Sequence, residues 1–234
     1  MEHLIALPSF DVFAYLMVGF TTIAICDLYL GNRILFRREL TVTVGTLVVI
    51  AAYVLGHVIT TASTLLIELP VVDGWAGRPV INLLATKEAE EVHAKPVRLL
   101  LGPYFDRLDD AAQAKINGKE PRNDNKYELF WQAYDTVKAD NHAFERIITF
   151  QELYYFCRNM SLVFFLAAVI VAVRGRRATA GVHRLPQWLG KPLWHFVILG
   201  AASFVMFTRY LYFLRAHSIE VLTSYAYGVT HLPG

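Results

Sequence analysis

Tyr53, His57, Thr60 and Thr64 fall at i, i+4, i+7 and i+11, a spacing that sets them along one face of a helix. They lie inside a run from Leu40 to Ile67 that contains no Asp, Glu, Lys or Arg. At ten residues from Ile67, His57 stands near the middle of a hydrocarbon layer, where an imidazole is expected to face the bundle interior and hold a hydrogen bond. The threonines say less by themselves, because a Thr hydroxyl readily returns a hydrogen bond to its own helix. Three uses suit such a stripe: adhesion between helices, the lining of a wetted path, or part of a catalytic centre.

A second constellation is ionic. Glu68, Glu152, Arg158, Arg209, Arg215 and His217 all fall at or close to the same end of apolar runs. A central Arg or Asp in a span costs about 2.5 to 3.5 kcal/mol on translocon scales, so ionisable residues there are sites to explain. Arg158 and Arg209 each lie some five residues inside a run and can snorkel toward one interface. Glu68 and Glu152 are expected to neutralise them as partly buried ion pairs, with Arg215 and His217 at the same level.

Other chemistries lack their signatures. The chain has no HExxH, no GxxxxGK[ST] and no GxSxG following a strand pattern, and its eight histidines are dispersed. No metal or cofactor is expected. The adjacent pairs Asp109/Asp110 and Glu90/Glu91 point about 100° apart on a helix and read as solvated faces. No span repeats Arg at every third position, as a voltage sensor would.

The elements that must position these residues are set by composition. Of 234 residues, 55% are hydrophobic and 18% charged, with a mean hydropathy of +0.38, too apolar for an ordinary soluble domain. A net charge of +2 leaves no basic surplus for a nucleic-acid surface. A bilayer core of roughly 30 Å needs about 20 apolar residues as a helix. Four runs meet that length: Phe10 to Leu30, Leu40 to Ile67, Leu153 to Val173 and Pro192 to Leu214. The expected fold is therefore an all-α integral membrane protein with four transmembrane helices and one mostly helical extramembrane domain between the second and third. Its divisions are 1–67, 68–151 and 152–234, the last ending in a short tail.

Within the 84 residues from Glu68 to Gln151, Gly and Pro are frequent and acidic residues cluster. Phe130, Tyr134 and Val137 recur with helical period, as do Phe144, Ile147 and Ile148 after a cap at Asp140 or Asn141. That last helix has no Pro or Gly before Gly175 and is expected to continue into the third span. So small a domain buries little by itself and should pack on the spans or on a copy of itself. Cys26 and Cys157 are placed some 20 Å apart by helical rise and are expected to be free thiols.

The basic residues Arg33, Arg37 and Arg38, and then Arg174, Arg176, Arg177, Arg184 and Lys191, sit in the two short loops. By the positive-inside rule these loops face the cytoplasm, both termini lie outside, and the cell (inner) membrane is the expected location. The first span reads as retained, since Met1 to Ser9 lacks the basic segment of a signal peptide. Together these features suggest a non-enzymatic oligomeric pore, sensor or complex subunit, with 68–151 as its recognition part and the second helix as its polar-lined element. Its partners are then membrane lipids and further copies or subunits, not nucleic acid. The alternative is a membrane-embedded enzyme acting on a lipid or lipid-linked substrate at the outer interface. A secondary transporter ranks last, because no inverted repeat or broken helix is evident.

Overall fold

The computed structural model describes residues 9–30, 41–85, 101–119, 125–139, 141–174 and 192–228. Both basic loops, the termini, Glu90, Glu91 and Asp140 lie outside them, as do the side chains of Asn141 and Arg174. The described residues are mostly helical, with no strand among them. Helix α1 covers Ser9–Leu30 and α2 covers Val42–Ser63, and α2 is followed by a π-helical segment, Thr64–Ala76. Helix α3 is Pro79–Leu83, a 3₁₀ turn is Gly102–Phe105, α4 is Asp110–Asn117 and α5 is Lys126–Val137. Two long helices complete the chain, α6 over Asn141–Arg174 and α7 over Pro192–Tyr227.

Among the described residues three helices are long and apolar enough to cross a membrane: the one starting at Val42, the one through Ala143–Val173, and Pro192–Tyr227. The chain is thus a multi-pass, membrane-associated protein. The first apolar run lies on α1, whose described apolar stretch is Ala14–Tyr29. α2 is rich in Val, Ile and Thr, which are indifferent helix formers in water; in lipid every backbone N–H and C=O must be satisfied within the segment, and that requirement decides. Its start is capped by Thr41, whose hydroxyl accepts from the Val44 amide at 3.4 Å.

Two helix ends differ from expectation. The apolar run ending at Ile67 does not end the helix, which continues through Pro70 to Ala76. Pro70 has no amide hydrogen to donate, and the wider π turn accommodates it. The turn after it uses Gly77 at φ 73°, a left-handed conformation suited to Gly. The fourth run likewise does not stop at Leu214, since α7 remains helical to Tyr227.

The chain divides into two compact units. The first comprises Met1–Glu68 and Tyr155–Phe207. In it α1 and α2 meet backbone to backbone at two glycines: a Cβ on Gly19 would overlap the Ala52 carbonyl, and one on Gly56 would overlap that of Tyr15. Val18, Ile59, Met160 and Val163 are buried together beyond this contact, drawing in α6. α6 and α7 are joined by two serines, Ser161 Oγ donating to the Ser203 carbonyl at 3.1 Å and Ser203 Oγ to that of Ser161 at 2.9 Å. Cys26 and Cys157 form no disulfide with each other.

The second unit comprises Leu69–Tyr154 and Thr208–Gly234. Its core takes Leu83 from α3, Ile116 from α4, Phe130, Ala133 and Val137 from α5, Ile147 from α6, and Val221 and Leu222 from α7. The end of α7, set apart in the sequence as a tail, therefore helps to supply the core that residues 68–151 lack by themselves. Lys115 and Lys119 of the α4 region lie over the Tyr227 and Tyr225 rings at 3.8 and 4.2 Å. Lys119 also donates to the Tyr225 carbonyl, placing cations where the dipole of α7 is negative.

Candidate functional site

The most developed polar site lies in the first unit between α2 and α6. Thr60, Ser63 and Glu68 follow one another at the end of α2 and into the π-helical segment, while Arg158 and Asn159 are neighbours on α6. Arg158 is 1% exposed, the largest of the fully buried side chains. Its Nη1 donates to the Glu68 carboxylate and its Nε to Ser63 Oγ at 3.0 Å, with the guanidinium 5.1 Å from the Tyr155 ring centre. Ser63 Oγ lies 2.5 Å from Asn159 Oδ1, and Asn159 Nδ2 donates to Thr60 Oγ1 at 2.8 Å. Thr60 Oγ1 in turn donates to the Gly56 carbonyl at 2.9 Å. A buried ion carries a desolvation penalty of several kcal/mol, and an ion pair with supporting hydrogen bonds is the arrangement that offsets it.

Arg158 turns inward onto Glu68 and Ser63. Of the six ionic positions, Glu68 and Arg158 are brought together. The other four belong to the second unit. There Arg215 Nη2 donates to the Asp106 carbonyl at 3.3 Å, Arg209 is exposed, and Glu152 is half-buried on α6. His217 is buried among Phe130, Tyr134 and Tyr154, with ring centres 6.0, 6.1 and 5.7 Å away. Arg146 and Glu220 form an ion pair at 2.9 Å nearby in sequence.

The stripe on α2 is corrected. The buried face of α2 carries Ala52, Gly56, Ile59 and Ser63. Tyr53, His57, Thr60 and Thr64 stand roughly a quarter turn away, at the edge of that face. Thr60 and Thr64 are half-buried, whereas Tyr53 and His57 are exposed, so the imidazole does not face the interior. His57 stacks on Tyr15 of α1, ring centres 4.0 Å apart at 23°, and meets Tyr53 edge-on at 4.7 Å. The polar residues therefore serve two neighbours, Thr60 turning to Asn159 and His57 to Tyr15.

One contact was not foreseen from the sequence. Tyr29 near the end of α1 and His195 near the start of α7 are both buried, with the phenol 3.0 Å from the imidazole Nδ1. The only hints were two unremarkable residues 166 positions apart, although the buried Asp27, close to Tyr29 in sequence, marks the same turn of α1. Asn159 and Ser63 were similarly overlooked, while the consecutive polar pair Arg158–Asn159 inside an apolar run could have flagged the first of them. Among the described residues no group of three or more His, Cys, Asp or Glu is placed to hold a metal ion.

No family model, curated protein or solved structure matches this chain. The geometry must therefore carry the functional reading. An arginine whose donors already meet a carboxylate and a hydroxyl, at 1% exposure, is closed to a lipid phosphate as it stands. The exposed pair Tyr53 and His57 instead presents hydrogen-bonding groups outward from a helix suited to a membrane.

Proposed function

We propose that this chain is a non-enzymatic subunit of an oligomeric membrane assembly, a pore, sensor or complex component. The reading places it in the cell (inner) membrane with four spans and both termini outside, and residues 68–151 serve as the recognition part. The observation that carries it is the outward position of Tyr53 and His57 on α2, amid the exposed Ile50, Val54 and Val58. Polar side chains at bilayer depth are costly against acyl chains and are found against another protein surface or a wetted path. The internal closure of Arg158 onto Glu68 supports the same reading over the lipid-enzyme alternative, which needs that guanidinium free.

The test is the mass of the full chain in lipid nanodiscs or native membrane vesicles. The expected result is a protein mass of at least twice 26.5 kDa. A single-chain mass overturns the reading, and so does turnover of lipid substrates by the purified protein. Ion flux in liposomes that His57→Leu abolishes selects the pore among the three forms.

A further inference from the structure

The exposed side of α2 is broad, taking in Leu47, Ile50, Val54 and Val58 as well as one line of polar side chains. Tyr53, His57 and Thr61 are all exposed at i, i+4 and i+8, the spacing of one ridge of side chains, with Ile50 and Val54 standing beside them at 54% and 55% exposure. Among the described residues the Tyr53 phenol and both ring nitrogens of His57 have no hydrogen-bond partner; their contacts are the ring contacts with each other and with Tyr15. The Thr61 hydroxyl is turned back to the His57 carbonyl at 3.2 Å and asks for nothing further. Two polar groups on one outward ridge thus lack partners that the surrounding acyl chains cannot supply.

We propose that this ridge is a self-association face whose occupant is a second copy of the chain, α2 packing in parallel against α2. The inference rests on the oligomeric reading above and specifies its interface. Three features favour a copy over a foreign helix. The ridge is uncharged, so no opposite charge is required on the partner. It is self-complementary, because an imidazole can offer an N–H and a bare nitrogen while a phenol offers both functions, so each group can be met by the same groups opposite. Membrane insertion also gives both copies the same orientation, which places equivalent residues at equal depth across a two-fold axis along the membrane normal. His57 then stands level with the second copy's His57, one imidazole donating to the other, with Tyr53 one turn away on each side. Tyr15 holds the ring against α1 and fixes its direction. Ile50 and Val54 supply the apolar packing on which helix association in lipid depends.

The experiment uses the full chain in nanodiscs, in a Cys26→Ala/Cys157→Ala background. Single cysteines are introduced by Val54→Cys and Thr61→Cys on the ridge, and by Val197→Cys on the exposed apolar side of α7 as control. Oxidation is expected to link the first two into dimers and leave the third monomeric. His57→Phe, which keeps the stack on Tyr15 but has no nitrogen, is expected to weaken self-association about tenfold, the worth of one interhelical hydrogen bond in lipid, whereas His57→Gln retains it. An oligomeric mass without cross-links at positions 54 and 61 overturns this interface and leaves the oligomeric reading standing. A single-chain mass overturns both. Association of His57→Phe as tight as that of the parent, or cross-linking in native membranes to a protein of different mass, also overturns the proposal.

Discussion

Replacing Glu68 by Leu removes the carboxylate that answers Arg158 and leaves a guanidinium inside the α2/α6 contact. The two side chains are 22% and 2% exposed, so water reaches the acid slightly and the base hardly at all. Removing one partner of a buried pair typically costs about 3 to 5 kcal/mol, because the remaining charge is uncompensated. Here Arg158 keeps its bond to Ser63 and its place over Tyr155, which sets the expectation at the lower end, about 3 kcal/mol. For a chain of this size that corresponds to a fall in Tm of about 6 to 12 °C. Adding Arg158→Met removes the orphaned charge as well, and apolar replacement of a whole buried pair is often neutral or stabilising. The double variant should therefore regain most of the loss. The assay is thermal unfolding of the four proteins of the cycle in one detergent, followed by tryptophan fluorescence. If Glu68→Leu melts within about 2 °C of the parent, or if the two losses simply add, the pair is not the fastener described here.

Two further perturbations probe the first unit. Gly56→Ala drives a methyl group into the Tyr15 carbonyl and should cost about 1 to 3 kcal/mol, whereas Gly45→Ala and Gly200→Ala, with open space around them, should be neutral or stabilise by up to about 1 kcal/mol; equal melting of Gly56→Ala and Gly45→Ala would show that α1 and α2 do not approach as described. Tyr29→Phe removes the phenol from His195 Nδ1 and should lower stability by about 1 to 2 kcal/mol, an effect that His195→Phe in the same chain should blunt, and a thermally silent Tyr29→Phe would refute the contact.

Much of the helical inventory was legible in the sequence because it rests on local quantities. Apolar length specifies which segments suit a bilayer, the absence of Pro and Gly from Asn141 to Arg174 specifies one continuous helix, and the period of Phe130 and Val137 specifies the buried face of α5. Ends were less legible. Pro70 suggests a stop, yet the helix passes it by widening its turn, and the residues after Leu214 read as a tail because their apolar side chains are mixed with polar ones. Their burial depends on helices distant in the chain.

The site divides along the same line. Residue type and depth by themselves pointed to Arg158 and Glu68 as groups needing partners, since a charge in an apolar run is costly wherever it stands. Which partner each one meets is a matter of which helices adjoin, and a periodicity argument has no term for neighbours. It could group Tyr53, His57, Thr60 and Thr64 on one helical face but not tell the half that turns to Asn159 from the half that looks outward. Nor could it join Tyr29 to His195, because a hydrogen bond spanning 166 residues leaves no local pattern in either helix. Helix content was thus decided by the chain's own chemistry, and the pairing of its polar groups by the packing of α1, α2, α6 and α7.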